Sequence, residues 1–194
     1  MGTNITYTAY HATDKSRVKS ILDHNFSYDP SPAHWLGNGI YFFIDPGLAR
    51  SWANRKPTKK YGIISSGTVI QAEVSAEETQ VLDMRQLDHY VFVMREFAKF
   101  YHTIVKGKKR LHLAQPNTEP YQILRCAFFD WLVKTYDIKC VIAYISERDN
   151  SSEYRTLYAG KFDSLKLPYA EVQMCVFDAS IITQRKEIFW KEAT

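Results

Sequence analysis

The sequence lacks the cysteine pairs that hold a zinc ribbon or a disulfide framework. Its three cysteines, Cys126, Cys140 and Cys175, are far apart, and none belongs to a C-x-x-C pair. Each lies within an apolar run, which is typical of a small buried residue in a reducing compartment. No apolar run approaches the roughly 18 residues that span a membrane, and the first residues lack the basic-then-apolar layout of a signal peptide. We therefore expect a cytoplasmic protein without a membrane partner.

The familiar catalytic motifs are also missing. The chain has no G-x-x-x-x-G-K-[ST], H-E-x-x-H, G-x-S-x-G or G-x-G-x-x-G sequence, and G-N-G at 37–39 is only a fragment of a glycine-rich turn. The six histidines do not have the spacing of metal ligands. We therefore expect no metal in the function.

The composition is that of a globular protein with one core. A chain of 194 residues with 45% hydrophobic residues can bury a core without metals or disulfides. We therefore predict one domain over residues 1–194. The formal net charge of +4 permits an anionic partner, such as nucleic acid or NAD, without requiring one.

Apolar periodicity and turn residues predict a mixture of strands and helices. Strands are predicted at 5–11, 39–43, 68–74, 81–82, 140–145 and 171–177. Helices are predicted after Asp14, with Asn25 as the left-handed stop of that helix, after the pair Asp45-Pro46, and over 87–104 and 121–136. Because the strands outnumber the helices and do not alternate regularly with them, we predict an α+β fold.

Several polar residues lie within or beside these apolar strands. His11 is predicted to end the first strand, and Tyr41 lies inside the second. Glu171 and Gln173 open the late strand, where alternation places both on one face, roughly 7 Å apart. One interpretation is that such residues are strand ends in contact with water. The other is that together they form a site.

Three stretches resemble the PARP-like, or diphtheria-toxin-like, ADP-ribosyltransferase family. These are Y-H-A-T at 10–13, followed by a helix, then G-N-G-I-Y-F at 37–42, and finally E-V-Q-M-C-V-F-D at 171–178. The first two are similar to the family's H-G-[ST] and G-x-G-I-Y-F strands, which hold NAD. The third is similar to the last catalytic strand. The resemblance implies a split antiparallel or mixed sheet with helices packed around it, and NAD as co-substrate.

The resemblance also implies a role for each matched residue. His11 would hydrogen-bond a ribose hydroxyl of NAD, with Thr13 beside it, and the backbone at Ala12 would hold the nicotinamide carboxamide. Tyr41 would stack on the nicotinamide. Trp52 is a candidate for the other side of the ring, although a core aromatic on an amphipathic helix explains it equally well.

The third stretch departs from the family pattern at its central position. Aligning V-F-D at 176–178 puts Gln173 where the catalytic Glu is usual, and Glu171 lies two residues earlier. Either Glu171 supplies the carboxylate, or the register is shifted by two, or strong activity has been lost. Chain elongation is not expected without the usual Glu, so the resemblance implies transfer of a single ADP-ribose.

The acceptor is left open between RNA and protein. Basic runs at 55–60 and 106–110 would give an electropositive rim for phosphates, and Trp35, Tyr61 and Tyr101 could stack on exposed bases. Solvated loop lysines are the simpler explanation. Small domains of this family often act as toxins or phage-defence effectors, which implies an inhibitory antitoxin as a further partner.

Two other functions remain open. A catalytically weak module that binds NAD or ADP-ribose is favoured by Gln173. An RNA-binding domain would use the basic rim alone and would leave His11, Tyr41 and Glu171 unexplained.

Overall fold

In the computed structural model of the chain, residues 2–54, 66–106, 120–145 and 171–189 are described. They form one mixed sheet of seven strands with four α-helices packed on it, so the predicted α+β class is confirmed. Within those residues, every helix is too short or too polar to cross a membrane. The predicted basic rim at 55–60 and 107–110, together with Tyr61, lies outside the described residues.

The strands of the sheet come from all parts of the described chain. They are β1 (Asn4–Asp14), β2 (Ile40–Phe43), β3 (Gly67–Glu77), β4 (Val81–Asp83), β5 (Cys140–Ile145), β6 (Glu171–Val176) and β7 (Ile182–Ile188). Their order is β4-β5-β6-β2-β1-β3-β7. The β4–β5 pair is parallel and every other neighbouring pair is antiparallel, so the predicted mixed sheet is confirmed.

The first two helices begin where an aspartate side chain accepts from a backbone amide of the first turn. The described helices are α1 (Lys15–His24), α2 (Pro46–Ala53), α3 (Leu87–Lys106) and α4 (Pro120–Tyr136). The Asp14 carboxylate accepts from the amide of Ser16 at 2.9 Å, and that of Asp45 accepts from the amide of Leu48 at 2.8 Å. Asn25 ends α1 with a φ of 76°. The caps predicted from the sequence are therefore confirmed.

Both sides of the sheet are covered, and each strand alternates between them. α1 covers one side, where its Val18 and Ile21 pack with the strand residues Ala9, Phe42 and Met174. We call this side the α1 face. The other side, which we call the helical face, is covered by α2, α3 and α4. Its strand residues include Tyr41, Phe43, Val69, Val141 and Cys175.

The three cysteines are buried and free, as the sequence predicted. Burial raises the pKa of the Cys126 thiol to about 12, so it is protonated at neutral pH. Because the thiolate is the nucleophilic form of cysteine, this thiol is suited to packing and not to covalent chemistry.

β3 extends beyond its predicted bounds of 68–74, from Gly67 to Glu77, and two further strands differ from the prediction. β1 does not end at His11 but continues to Asp14, because all of its residues pair with β3. β7 was not predicted at all. Its sequence is mostly polar, and it becomes a strand because it pairs with β3 at the edge of the sheet. Tertiary pairing therefore overrides a weak local pattern in both cases.

Candidate functional site

The three stretches that were singled out lie on three consecutive strands of the sheet. His11 is on β1, Tyr41 on β2, and Glu171 and Gln173 on β6, and these strands lie in the order β6-β2-β1. Tyr41 pairs with Cys175, and Phe43 with Gln173. Residues separated by as many as 162 positions (173 − 11) are thus brought to one region of the sheet.

The contact between β1 and β2 is limited, and His11 lies beside it. The strands share one register pair, Tyr10 opposite Phe43. Next to this pair, Nδ1 of His11 lies 2.7 Å from the carbonyl oxygen of Tyr41. Because a carbonyl oxygen only accepts, Nδ1 must donate the hydrogen. In the neutral ring Nε2 then has a free lone pair, and it has no hydrogen-bond partner among the described residues.

Aromatic rings surround the His11 imidazole on the α1 face. The rings of Phe26 and Phe42 lie 5.0 and 5.6 Å from it, centre to centre, both in edge orientations. Burial lowers the pKa of His11, which outweighs the raising effect of the hydrogen bond to Tyr41. The imidazole is therefore neutral at pH 7, and Nε2 is suited to accept a hydrogen bond from a hydroxyl group.

This neutral imidazole predicts a pH dependence of stability. The free energy of unfolding should fall as the pH drops below 6.5, the ordinary pKa of histidine, because the unfolded chain takes up a proton that the folded ring resists. His34 acts in the same direction, since burial lowers its pKa as well. Urea denaturation at a series of pH values should show that the free energy of unfolding falls less steeply with decreasing pH in His11→Asn than in the wild type. The exposed control His24→Asn should retain the wild-type slope, and an equally steep loss in His11→Asn would contradict the argument.

Glu171 and Gln173 form a buried polar pair on the helical face. Only 7% of Glu171 and 8% of Gln173 is exposed, so the interpretation of strand ends in water is wrong. Nε2 of Gln173 donates to Oε2 of Glu171 at 3.2 Å. A carboxylate is rarely buried without a functional or structural need, because its desolvation is costly. The amide of Gln173 orients this one.

Tyr41 is held in place by the loop that precedes β2. Its hydroxyl donates to the carbonyl oxygen of Gly37 at 2.9 Å and accepts from the amide of Leu36 at 2.6 Å. Burial raises the pKa of the phenol well above its ordinary value, so the hydroxyl is protonated. The ring is thereby fixed against the helical face, and its hydroxyl is already used within the protein.

The G-N-G sequence has a packing role that the sequence alone did not indicate. Asp130 of α4 accepts from both the backbone amide and the side-chain amide of Asn38, each at 2.6 Å. Gly37 has a φ of 92°, and a Cβ there would lie 2.8 Å from Oδ1 of Asp130. A Cβ on Gly39 would lie 2.7 Å from the carbonyl oxygen of Val176. The glycines allow this loop to lie close to α4 and β6.

The remaining predicted residues divide between the two faces. The Trp52 ring packs at 6.0 Å from that of Phe43, centre to centre, in the cluster that also includes Ala12. Thr13 is buried and, by alternation along β1, lies on the α1 face with His11. The helical face therefore carries Ala12, Tyr41, Trp52, Glu171 and Gln173, with Tyr41 in one side-chain cluster and Ala12 and Trp52 in another. His11 and Thr13 lie on the opposite face, and His11 is connected to β2 by its hydrogen bond to the Tyr41 backbone.

Two polar residues on α4, Asp130 and Arg125, were not predicted from the sequence. Asp130 orders the loop before β2, and Arg125 stacks on Trp35, with its Cζ atom 4.1 Å from the ring centre. Trp35 is thus already in contact with a guanidinium group. Tyr101 is exposed on α3. The apolar periodicity predicted α4 as a helix but did not single out its polar residues. No local pattern indicates which loop will pack against a helix.

No grouping of three or more His, Cys, Asp or Glu side chains suited to a metal ion occurs among the described residues. The polar groups on these three strands are one carboxylate and one amide on the helical face and one neutral imidazole on the α1 face, with aromatic rings on both faces. Such groups can bind hydroxyl groups and flat rings and can stabilise a positive charge.

Comparison with known proteins gives a similarity without an assigned activity. No protein-family profile matches the chain. Over 109 residues, 55% of this chain, the sequence is 30% identical to an uncharacterized protein of Methanocaldococcus jannaschii. The chain spans about half the length of that curated relative, since the match covers 49% of it. The chain is thus similar to an archaeal protein to which no function is assigned.

Proposed function

We propose that this protein is an NAD-dependent mono-ADP-ribosyltransferase that moves ADP-ribose from NAD onto a macromolecule. One observation carries the proposal: the three stretches that resemble the family lie on the consecutive strands β6, β2 and β1. The proposal includes the ADP-ribosyltransferase form of the sheet, split between β1 and β2, where the strands share one register pair.

His11 is proposed to bind a ribose hydroxyl of NAD. Its Nδ1 donates to the carbonyl of Tyr41, which leaves the Nε2 lone pair to accept the hydroxyl hydrogen. The aromatic cage of Phe26 and Phe42 limits rotation of the ring. Binding therefore requires little ordering of this side chain.

Glu171 is proposed to stabilise the charge that develops on the ribose. In the reaction the bond between nicotinamide nitrogen and ribose C1′ breaks, its electron pair leaves with nicotinamide, and C1′ becomes cationic. A nucleophilic oxygen or nitrogen of the acceptor then bonds to C1′, and its proton passes to a base or to solvent. A carboxylate at ~4 Å, at an effective dielectric constant of ~20, stabilises this cation by about 4 kcal/mol.

The aromatic residues are proposed to position the nicotinamide ring without accelerating its departure. Tyr41 and Trp52 both lie on the helical face, in two separate side-chain clusters, and Trp52 packs on Phe43. Their attraction to a cationic ring, roughly 0.5–2 kcal/mol, weakens as the leaving group becomes neutral. Ala12 would hold the carboxamide through its backbone, and Thr13 would assist at the ribose.

A module that binds NAD or ADP-ribose with little turnover is the second candidate. It is favoured by Gln173, which has no charge and stands where the family has its catalytic Glu. In this case the Glu171–Gln173 pair would serve to hold ribose hydroxyl groups. Both candidates agree with a cytoplasmic toxin or defence effector that is controlled by an antitoxin, and for the transferase the acceptor would be RNA or protein.

The first test is the affinity for NAD of the wild type and of His11→Ala, measured by titration calorimetry. We expect the substitution to weaken binding by about tenfold, the equivalent of one lost hydrogen bond. His24→Ala, which removes an exposed imidazole at the end of α1, is the matched control and should bind as the wild type does. Equal affinity in His11→Ala and the wild type would refute the assignment of His11.

The second test separates the two candidate functions. Adenylate-labelled NAD is mixed with the protein and, in separate tubes, with RNA, DNA and lysate proteins. Transfer of label to one of these pools supports the enzyme. Binding of NAD without transfer and without release of nicotinamide supports the binding module.

A further inference from the structure

A small cleft on the helical face lies beside the buried pair of β6. It has a volume of about 170 Å³ and is lined by residues that include Trp35, Leu36, Arg125, Phe129 and Ala143. Most of its wall is apolar, and Arg125 is the one cationic side chain among the lining residues. Such a cleft can hold a group of a few atoms at a single charged contact.

Arg125 has unfilled hydrogen-bonding capacity in this cleft. Its Nε and Nη2 atoms are buried and have no hydrogen-bond partner, and no carboxylate among the described residues forms an ion pair with it. Stacking on Trp35 holds the guanidinium plane in a fixed orientation. Burial also lowers the pKa of Arg125. A cation that is removed from water is destabilised when no counter-charge is beside it. An anionic group entering the cleft would remove that destabilisation.

The cleft is one strand away from the proposed catalytic pair. Ala143 and Ile145 of β5 line it, and they pair with Gln173 and Glu171 of β6, respectively. Directly opposed residues on neighbouring strands have Cβ atoms about 5 Å apart. A group bound by Arg125 would therefore lie one strand away from the carboxylate, on the side of β6 away from β2 and β1.

We propose that this cleft binds a backbone phosphate of a single-stranded nucleic acid, which is the acceptor of the transfer. The role of the nucleic acid as acceptor rests on the proposed function. Its binding at Arg125 does not depend on that function. A guanidinium with free N–H groups matches the geometry of phosphate oxygens. The site lies on the side of Glu171 opposite to His11, so a nucleic acid would approach the ribose without displacing the dinucleotide.

The neighbouring aromatic ring favours nucleic acid over an acidic protein segment. Tyr121 is 58% exposed, and the Cζ atom of Arg125 lies 5.9 Å from its ring centre. A phosphate on Arg125 would bring an adjacent base within reach of this ring, and stacking on an exposed aromatic is a common mode of single-strand recognition. A carboxylate on a protein would use the guanidinium alone.

The test is the affinity of the full chain for a short fluorescein-labelled single-stranded RNA of mixed sequence, measured by anisotropy without NAD. Arg125→Met keeps an unbranched apolar stem but removes the charge. It should weaken binding by about tenfold or more and reduce the slope of log affinity against log salt by about 0.7. Lys134→Met removes one exposed charge from the same helix and should change affinity by less than about twofold.

Thermal melting separates recognition from packing. Because Arg125→Met removes a partly buried charge that has no counter-charge among the described residues, its melting temperature should equal or exceed that of the wild type. A lower melting temperature with unchanged RNA affinity would overturn the proposal in favour of a structural role. Equal weakening in the two variants, or a wild type that does not bind the RNA, would also overturn it.

NAD titration distinguishes this inference from the proposed function. Arg125→Met should bind NAD as the wild type does, and a loss as large as the loss for RNA would reassign Arg125 to the dinucleotide. If His11→Ala binds NAD normally while Arg125→Met loses RNA affinity, the transferase proposal fails and the nucleic-acid site stands.

Discussion

Glu171→Gln is expected to slow the proposed ADP-ribosyl transfer by about 100-fold or more, since the substitution keeps the shape of the side chain and removes its charge. The electrostatic contribution of a carboxylate to a cation at ~4 Å, about 4 kcal/mol, corresponds to nearly a thousandfold in rate. The affinity for NAD should change much less, because the positive charge develops on the ribose only as the bond breaks. The measurement is the initial rate of label transfer at saturating NAD, together with calorimetric affinity.

Two further variants make this result interpretable. Glu77→Gln changes an exposed carboxylate at the end of β3 and should transfer at the wild-type rate. Gln173→Glu places a carboxyl group where the family that the chain resembles has its catalytic Glu. In the wild type, Nε2 of Gln173 lies 3.2 Å from Oε2 of Glu171, so the new carboxyl group would be close to the present one. An unchanged rate in Glu171→Gln, combined with a faster rate in Gln173→Glu, would show that Glu171 is not the catalytic carboxylate.

Gly67→Ala is expected to have the largest effect on stability. A Cβ at this position would lie 1.7 Å from the carbonyl oxygen of Ala53, where the end of α2 meets the start of β3. Since backbone atoms cannot move aside as a flexible side chain can, we expect a loss of about 3 kcal/mol in the free energy of unfolding. For a chain of this size that lowers the melting temperature by roughly 6–12 °C.

The matched control for this variant is Gly47→Ala in α2. A Cβ there would meet only the carboxylate oxygen of Asp45, at 3.0 Å. Alanine is a better helix former than glycine, which offsets this contact, so the melting temperature should change little. Because Trp52 lies next to Ala53, its fluorescence should shift in Gly67→Ala and not in Gly47→Ala. Equal melting temperatures for Gly67→Ala and the wild type would contradict the close approach of α2 to β3.

Much of the fold could be predicted from local sequence signals. The caps at Asp14 and Asp45, and the left-handed Asn25, were recognised because a side chain that satisfies a nearby amide leaves a short sequence pattern. The long amphipathic helices and the apolar strands were recognised by their periodicity. β7 was not recognised, because an edge strand with exposed polar side chains has no such pattern.

The candidate site could be predicted only in part. The resemblance selected His11, Tyr41, Glu171 and Gln173, but it could not indicate that the buried carboxylate accepts a hydrogen bond from the neighbouring amide. Asp130 could not be selected at all, since its partner Asn38 lies 92 positions away in the sequence. Long-range partners of this kind depend on how a loop packs on a helix, which no local window contains.

The sequence by itself determined the α+β class, the starts of the first two helices, the end of the first, and the burial of its cysteines, because these depend on interactions among near neighbours. Only the tertiary structure decided that β6, β2 and β1 are neighbours, that His11 lies on the opposite face from Glu171 and bonds the Tyr41 backbone, and that Arg125 lacks a counter-charge among the described residues. The physical reason is that strand order, facing and charge pairing arise from contacts between segments that are distant in the chain.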